Sequence, residues 1–406
     1  MQTVRDLRDD AQLADPAFYA GDPHPVFTRL RAEQPVFWCE EGQFWALSKY
    51  DDVRRLGSSP QLFSSQRGTL IPDGLARDSG GPHMAGANHL LRADPPLHTA
   101  MRRIVSGSFT PRSVARLEEQ VRLIAREIVE RIDGAAVANA VEAVSAPLTT
   151  FVIAELMGVP RAQWSDFWRW TDSAIMQIDA GTADPVHAAN VAELLSFFES
   201  LCEERRQHPG EDIVTELVQG RVDGEPLGPV DLLTFCKFLL VAGTETTRNL
   251  VSAGLQLLAD HPDQRDQLVA RPELLTGAVE EMLRFASPVL AFGRTAKEPT
   301  EIRGQAIAAG DYVVMLYPSA NRDEEVWTDA DTFDILRPQS APHVAFGFGP
   351  HVCLGAPLAR VETRVMFDEL LRAYPDYELA GPPVRHASTL VAMITDLPVM
   401  FGPRRS

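Results

Sequence analysis

Phe346-Gly-Phe-Gly-Pro-His-Val-Cys-Leu-Gly355 is the stretch whose reading decides the fold. Two glycines and a proline make a rigid loop, and Cys353 follows it where a long helical pattern begins. That pattern runs from Leu354 to Tyr374, with Leu358, Val361, Val365, Phe367, Leu370 and Leu371 as its apolar positions. A cysteine at a helix N-terminus feels the positive end of the macrodipole and free backbone N–H groups, and both favour thiolate. Gly347 and Gly349 let the backbone pass close to something bulky. A buried free thiol is the plain alternative. It leaves the glycines, Pro350 and His351 unexplained.

Through Phe346, Gly347, Gly349, His351, Cys353 and Gly355, the stretch resembles the haem-binding signature of the cytochrome P-450 monooxygenases. The resemblance, covering roughly residues 20 to 400, implies a haem b cofactor (iron protoporphyrin IX) with Cys353 as the axial thiolate ligand of its iron. It also implies a mainly α fold with small β-sheets, a triangular prism with α-rich and β-rich parts. By that reading residues 1–406 form a single domain with a short polar N-terminal tail to about residue 15. A motif needs agreeing context, and the rest of the chain supplies the test.

Composition is that of an ordinary globular protein: 406 residues, 45% hydrophobic and 23% charged. The N-terminus, MQTVRDLRDDAQLADP, is polar and acidic, so no signal peptide is expected. No apolar run reaches the roughly 18 residues of a membrane span. The expectation is a soluble, cytoplasmic protein. Cys39, Cys202, Cys236 and Cys353 are far apart in sequence and lack metal-ligand spacing, against structural zinc or a disulfide framework. A formal net charge of −18 disfavours nucleic acid, yet residues 92–131 hold eight arginines against five acids.

Residues Pro35 to Tyr50 alternate apolar and polar around Glu40-Glu41-Gly42 and read as a β-hairpin. From Gly57 to Leu91 the pattern dissolves into a loop-rich stretch, which in a compact protein is usually functional, and a pocket segment is expected there. Ser113 is the expected cap of a helix carrying Val114, Leu117, Val121, Ile124, Ile128 and Ile132. Further helices are expected at about 140–158, 161–178, 185–207, 229–260, 272–286 and 354–374, and strands at Pro288–Phe292, Tyr312–Tyr317 and Leu390–Ile394.

Ala242-Gly-Thr-Glu-Thr-Thr247 interrupts the longest helical pattern with poor helix formers. Thr246 is placed to take the Ala242 carbonyl and open the helix beside Gly243. A polar surface patch is the bland reading, but Leu239, Leu240, Val241, Leu250 and Val251 around it imply burial. The stretch resembles the distal oxygen-binding motif of the same enzymes. That resemblance assigns Thr246 and Glu245 to catalysis, as alcohol and acid that deliver protons, with Ala242 beside the cofactor.

Glu281-Met-Leu-Arg284 puts a carboxylate and a guanidinium on one helix face, and alone this is an ordinary ion pair. It resembles the ExxR pair of the same family, with Arg337, near Phe333, where a third partner belongs. These residues would brace the haem-binding loop. His98 and Arg102 share a helix face; with Arg294 and His351 they match the cations that hold haem propionates in the family. Each alone reads equally well as a surface charge.

Phe238, Leu239, Val289, Leu290, Phe292 and Val391 match pocket positions, while Trp164, Phe167, Trp168, Trp170, Ile175 and Met176 lie where the family has its lid helix. Core packing is the plain alternative for each. The implied reaction is insertion of one oxygen atom from O2 into a hydrophobic, mid-sized substrate, in steroid, lipid or secondary metabolism, by hydroxylation or epoxidation. Electrons would come from NAD(P)H through a separate ferredoxin (or flavodoxin) and its reductase. The basic stretch at 92–131, which includes Arg112 and Arg116, together with Arg360 and Arg364 on one face of the cysteine helix, is the candidate docking surface. A monomer is the default. The rivals are a peroxide-driven haem-thiolate enzyme and a non-catalytic haem sensor or carrier.

Overall fold

The computed structural model describes residues 6–71, 90–180 and 184–405. The helices that frame the site are α1 (Leu97–Val105), α2 (Pro111–Arg131), α3 (Ala146–Leu156), α4 (Trp164–Ala180), α5 (Pro185–Gln207), α6 (Pro229–Asp260), α7 (Leu275–Ala286) and α8 (Ala356–Ala373). Proline in the first turn opens α2, α3, α5, α6 and α8, where its missing N–H leaves no bond unmade. Thr110, not Ser113, caps α2: its hydroxyl accepts from the Ser113 N–H at 3.2 Å. Pro111 moves the helix start earlier than the apolar spacing suggests.

The hairpin forms as β1 (Val36–Cys39) and β2 (Phe44–Leu47). With β3 (Phe63–Ser64), β4 (Ala291–Ala296) and β5 (Tyr312–Leu316) it makes a five-stranded sheet of order β1-β2-β5-β4-β3. Only the β2–β5 pairing is parallel. Pro288 delays the strand expected from that residue, so β4 starts at Ala291 and Val289 makes a lone bridge with Val391. Leu390–Ile394 likewise yields that bridge, with its strand only at Ile394–Asp396.

One large apolar core lies among the helices, and two smaller ones flank the sheet. The expected polar tail is a correction: from Leu7 onward it folds, and Leu7, Ala11 and Leu13 pack with Phe27 and Tyr312. Their apolar spacing is hidden among charged neighbours. α6 runs unbroken through Ala242–Thr247, so the expected opening beside Gly243 does not occur. Among the described residues no helix is long and apolar enough to cross a membrane.

Candidate active site

A cavity lies between α6, α8 and the sheet, with an empty volume of about 1440 Å³ that includes its opening to solvent. The Cys353 loop forms one wall. Gly347 and Gly349 adopt φ of +68° and +76°, the region that favours glycine. The close approach at Gly349 is to backbone: a Cβ there would lie 2.1 Å from the Gly57 carbonyl oxygen. Cys353 N–H donates to the Phe346 carbonyl at 2.8 Å, pinning the loop back on itself.

Cys353 is exposed, and the space it is exposed to is the cavity it lines. Burial within the surrounding protein pushes its thiol up, while N–H groups of Gly355 and Ala356 and the charges of Arg102 and Arg360 oppose that without overcoming it. The helix start alone therefore does not make the thiolate; a coordinating metal would.

Period-three and period-four spacing brings Phe238, Leu239, Ala242, Gly243, Thr246, Thr247 and Leu250 of α6 to the opposite wall. Thr246 Oγ1 donates to the Ala242 carbonyl at 3.0 Å. Glu245 does not line the cavity. Its carboxylate meets Arg248 Nη2 and Asn249 Nδ2, each at 2.6 Å, on the next turn of the same helix. A rotation of about 100° per residue separates neighbours, so an adjacent acid and alcohol need not face one space.

His98 and Arg102 of α1, Arg294 of β4 and His351 gather at one rim. The His98 and His351 ring centroids are 4.2 Å apart. Burial, then Arg102 and Arg294, pull the His98 imidazole down to about 4. Burial, then Arg294, His98 and Arg102, pull His351 down to about 2. Among the described residues neither Arg102 nor Arg294 has a carboxylate partner, and His98 Nε2 is buried without one. Such crowding of like charge favours an anionic guest.

Below this wall, Glu281 is 1% exposed and accepts from Arg284 Nε and Nη2 at 2.7 Å each, from Arg337 Nε at 3.1 Å and from the Asp334 N–H at 3.0 Å. Arg284 also grips the carbonyls of Asn321, Ala330 and Thr332. Asn321 Oδ1 in turn accepts from the Val344 N–H at 2.7 Å, and so ties this cluster to the cysteine loop.

Of the expected pocket residues, Phe238, Leu239, Val289 and Phe292 line the cavity. Leu290 points into the core behind the sheet, and Val391 joins Met393 in a small cluster. Alternation along an extended chain sends Val289 and Leu290 to opposite sides. Trp164, Phe167, Trp168, Trp170 and Met176 do not line it either; Trp164 stacks on Phe151, and Phe167 meets Phe197 and Phe198 of α5 edge-on. The side chain of Ile175 and residues 72–89 of the expected pocket loop lie outside the described residues. Arg360 and Arg364 are held by Glu280 (2.6 Å) and Glu118 (2.7 Å). Sequence reasoning missed Ile153, Leu283, Tyr317 and Glu362 in the lining. For Glu362 a signal existed: it is seven residues from Gly355, on the helix face of Leu358 and Ala359.

Residues 153–379 match the family model described as Cytochrome P450. The chain is 37% identical to linalool 8-monooxygenase of Pseudomonas putida, over 97% of this chain and 99% of that protein. It is 37% identical to steroid C26-monooxygenase of Mycobacterium tuberculosis, over 92% of this chain and 88% of that protein. Cytochrome P450 CYP268A2 of Mycobacterium marinum, solved with pseudoionone, superposes with a TM-score of 0.86 at 34% identity, covering 95% of this chain and 97% of that one. CYP109E1 of Bacillus megaterium, solved with testosterone, gives 0.83 at 32%, covering 94% and 99%.

The cavity fits the cofactor of such enzymes. It has a sulfur at a helix N-terminus on one wall, small residues Ala242 and Gly243 opposite, and cations without carboxylate partners at the rim for two propionates.

Proposed function

The chain belongs to the cytochrome P450 family and is a haem monooxygenase, and from that premise we propose that it inserts one oxygen atom of O2 into a hydrophobic, mid-sized substrate by hydroxylation or epoxidation. The observation that carries this reading is that Cys353 and Thr246 line one apolar cavity from facing elements. Electrons reach it from NAD(P)H through a separate ferredoxin and its reductase.

Bound haem supplies the redox chemistry, and a thiolate ligand favours O–O cleavage. Cys353 holds the iron; Arg102, Arg294, His98 and His351 hold the propionates. Phe346, Gly347 and Gly355 shape the ligand loop, which Glu281, Arg284 and Arg337 keep in place. Thr246 presents its hydroxyl to the cavity while its proton is committed to the Ala242 carbonyl, so it both accepts from a water and passes a proton on when that bond is exchanged. Glu245 acts at one remove, fixing Asn249, whose Oδ1 accepts from the Ile394 N–H at 3.0 Å.

Phe238, Leu239, Val289, Phe292 and Ile153 exclude water and select by shape. Terpenoid alcohols, steroids and methyl-branched lipids are the classes to try, since relatives of the chain are named for acting on linalool, on steroids and on methyl-branched lipids. Among the docking arginines, the exposed Arg112 and Arg116 are not held by an acid among the described residues, and they carry the ferredoxin surface more than Arg360 or Arg364.

The test is turnover of these classes under labelled dioxygen, driven by NADH with a ferredoxin system or by hydrogen peroxide. One labelled atom per product, formed only with the electron-transfer system, supports the proposal. Product from peroxide alone makes the protein a peroxide-driven enzyme; spectral binding without product under either condition makes it a carrier.

A further inference from the structure

Glu280 and Glu281 are neighbours on α7 and face different parts of the molecule. Glu281 enters the brace with Arg284 and Arg337. Glu280 turns to α8 and the cysteine loop, where its carboxylate takes two nitrogens of one guanidinium, Arg360 Nε at 2.6 Å and Nη2 at 2.9 Å. The same carboxylate has His343 Nε2 at 3.3 Å. The other nitrogen of that ring, Nδ1, accepts from the Ala345 N–H at 3.2 Å, which leaves the ring proton on Nε2, facing Glu280.

Both partners of Glu280 touch one ring. The Arg360 guanidinium carbon lies 4.7 Å from the centre of Phe346, and the His343 ring centroid lies 5.7 Å from it. Phe346 belongs to the ligand loop: its carbonyl receives the Cys353 N–H, and both residues line the cavity. One carboxylate on α7 therefore fixes where a full positive charge stands relative to Cys353, and that charge is felt at the sulfur. Hydrogen bonds from Arg360 and His343 hold the Glu280 carboxyl down at about 2, so at neutral pH the sulfur is flanked by an arginine and the acid that opposes it.

Uptake of one electron from a reduced iron–sulfur protein makes no bond and breaks none; it adds one negative charge beside Cys353. A nearby cation favours that state and a nearby anion opposes it. We propose that the Glu280–Arg360 pair sets the reduction potential of the bound haem, with Arg360 easing electron uptake from the Cys353 side and Glu280, as a positioning residue, holding that cation in place and limiting its pull. This deepens the monooxygenase reading and rests on it.

Midpoint potentials are read by dithionite titration of the haem-loaded protein. Glu280→Gln keeps the shape but leaves Arg360 unopposed; it shifts the reduction equilibrium about fivefold toward the reduced form, about 40 mV for one electron. Arg360→Leu leaves Glu280 unopposed and shifts it by a similar factor the other way. Arg360→Lys keeps the charge, and the double variant Glu280→Gln with Arg360→Leu removes both; each stays within about twofold of the parent. Loosened packing would move both single variants in one direction, so opposite signs are the mark of charge. Should Glu280→Gln not fold, Arg360→Leu against Arg360→Lys decides. Equal potentials across the set, or shifts of one sign in Glu280→Gln and Arg360→Leu, overturn the proposal. The carbon monoxide difference spectrum separates the two readings: a thiolate signature with unmoved potentials sinks this inference alone, and no thiolate signature in the parent sinks the monooxygenase reading with it.

Discussion

Glu281 and Glu362 are both all but sealed from solvent, at 1% and 3% exposure, and they could hardly be treated more differently. Glu281 is met by two arginines and a backbone N–H. Glu362 has none of these among the described residues. The first region spends its polar groups on each other and becomes a rigid mount for the cysteine loop. The second leaves polar groups facing a cavity: one acid on the inner side, four basic side chains on the rim. A satisfied buried charge holds structure; an unsatisfied one is available to a guest, a water or a proton.

The contrast breaks first at Cys353. Cys353→Ala should abolish turnover, lowering it by roughly a thousandfold or more, and remove the thiolate signature from the carbon monoxide difference spectrum, while far-UV circular dichroism stays that of a folded helical protein. If turnover survives, the cavity wall has been misassigned. On the satisfied side, Arg284→Ala strands Glu281 and should cost around 3–5 kcal/mol, read from urea unfolding of the haem-loaded protein. A loss below 1 kcal/mol would mean that the two regions do not differ as described.

Glu280 sharpens the same comparison at the surface. Burial would raise its carboxyl, but hydrogen bonds from Arg360 and His343 hold it down at about 2. Because its folded value is depressed, its stabilisation is present above the ordinary value near 4.5 and is lost as pH falls from there toward 2. Between pH 5 and pH 2.5 the parent should lose up to about 3 kcal/mol that Glu280→Gln does not lose, by urea titration at each pH. Equal slopes would place Glu280 among the unremarkable surface acids. Thr246→Ala keeps the fold and divides electrons between product and peroxide, lowering product per NADH about tenfold. Smallest, Arg112→Glu with Arg116→Glu should raise the KM for ferredoxin a few-fold at low salt, an effect that 0.5 M salt removes.

The ligand loop and the brace were legible because they are written in short, local patterns. Gly347, Gly349 and Cys353 sit within seven residues, and Glu281 and Arg284 within four. Helices α5 and α6 matched their expected spans because proline and acid or glycine mark their starts. What failed was direction. That Glu245 turns to Arg248 while Thr246 faces the cavity is a matter of helix phase against tertiary neighbours, which spacing in one helix does not set. Leu290 failed the same way, one residue out of phase with Val289, which does line the cavity, while Val391 joins Met393 in a separate small cluster. For the aromatic run of α4, at the position of the family's lid helix, the plain alternative of core packing describes the side chains, which meet α3 and α5. Whether an aromatic face meets a cavity or a helix is decided by partners far away in sequence. Glu362 was missed because a lone glutamate in an amphipathic helix ordinarily belongs to solvent.

Arg284 holds its loop by three carbonyl oxygens, those of Asn321, Ala330 and Thr332, and Arg337 takes those of Thr328, Asp329 and Thr332. Every residue type brings a carbonyl. The exposed side chains of Thr328 and Thr332 can therefore change while the posture of the chain is kept, so these positions are where a redesigner, or drift, can rewrite the outer surface beside the brace without disturbing the cysteine loop.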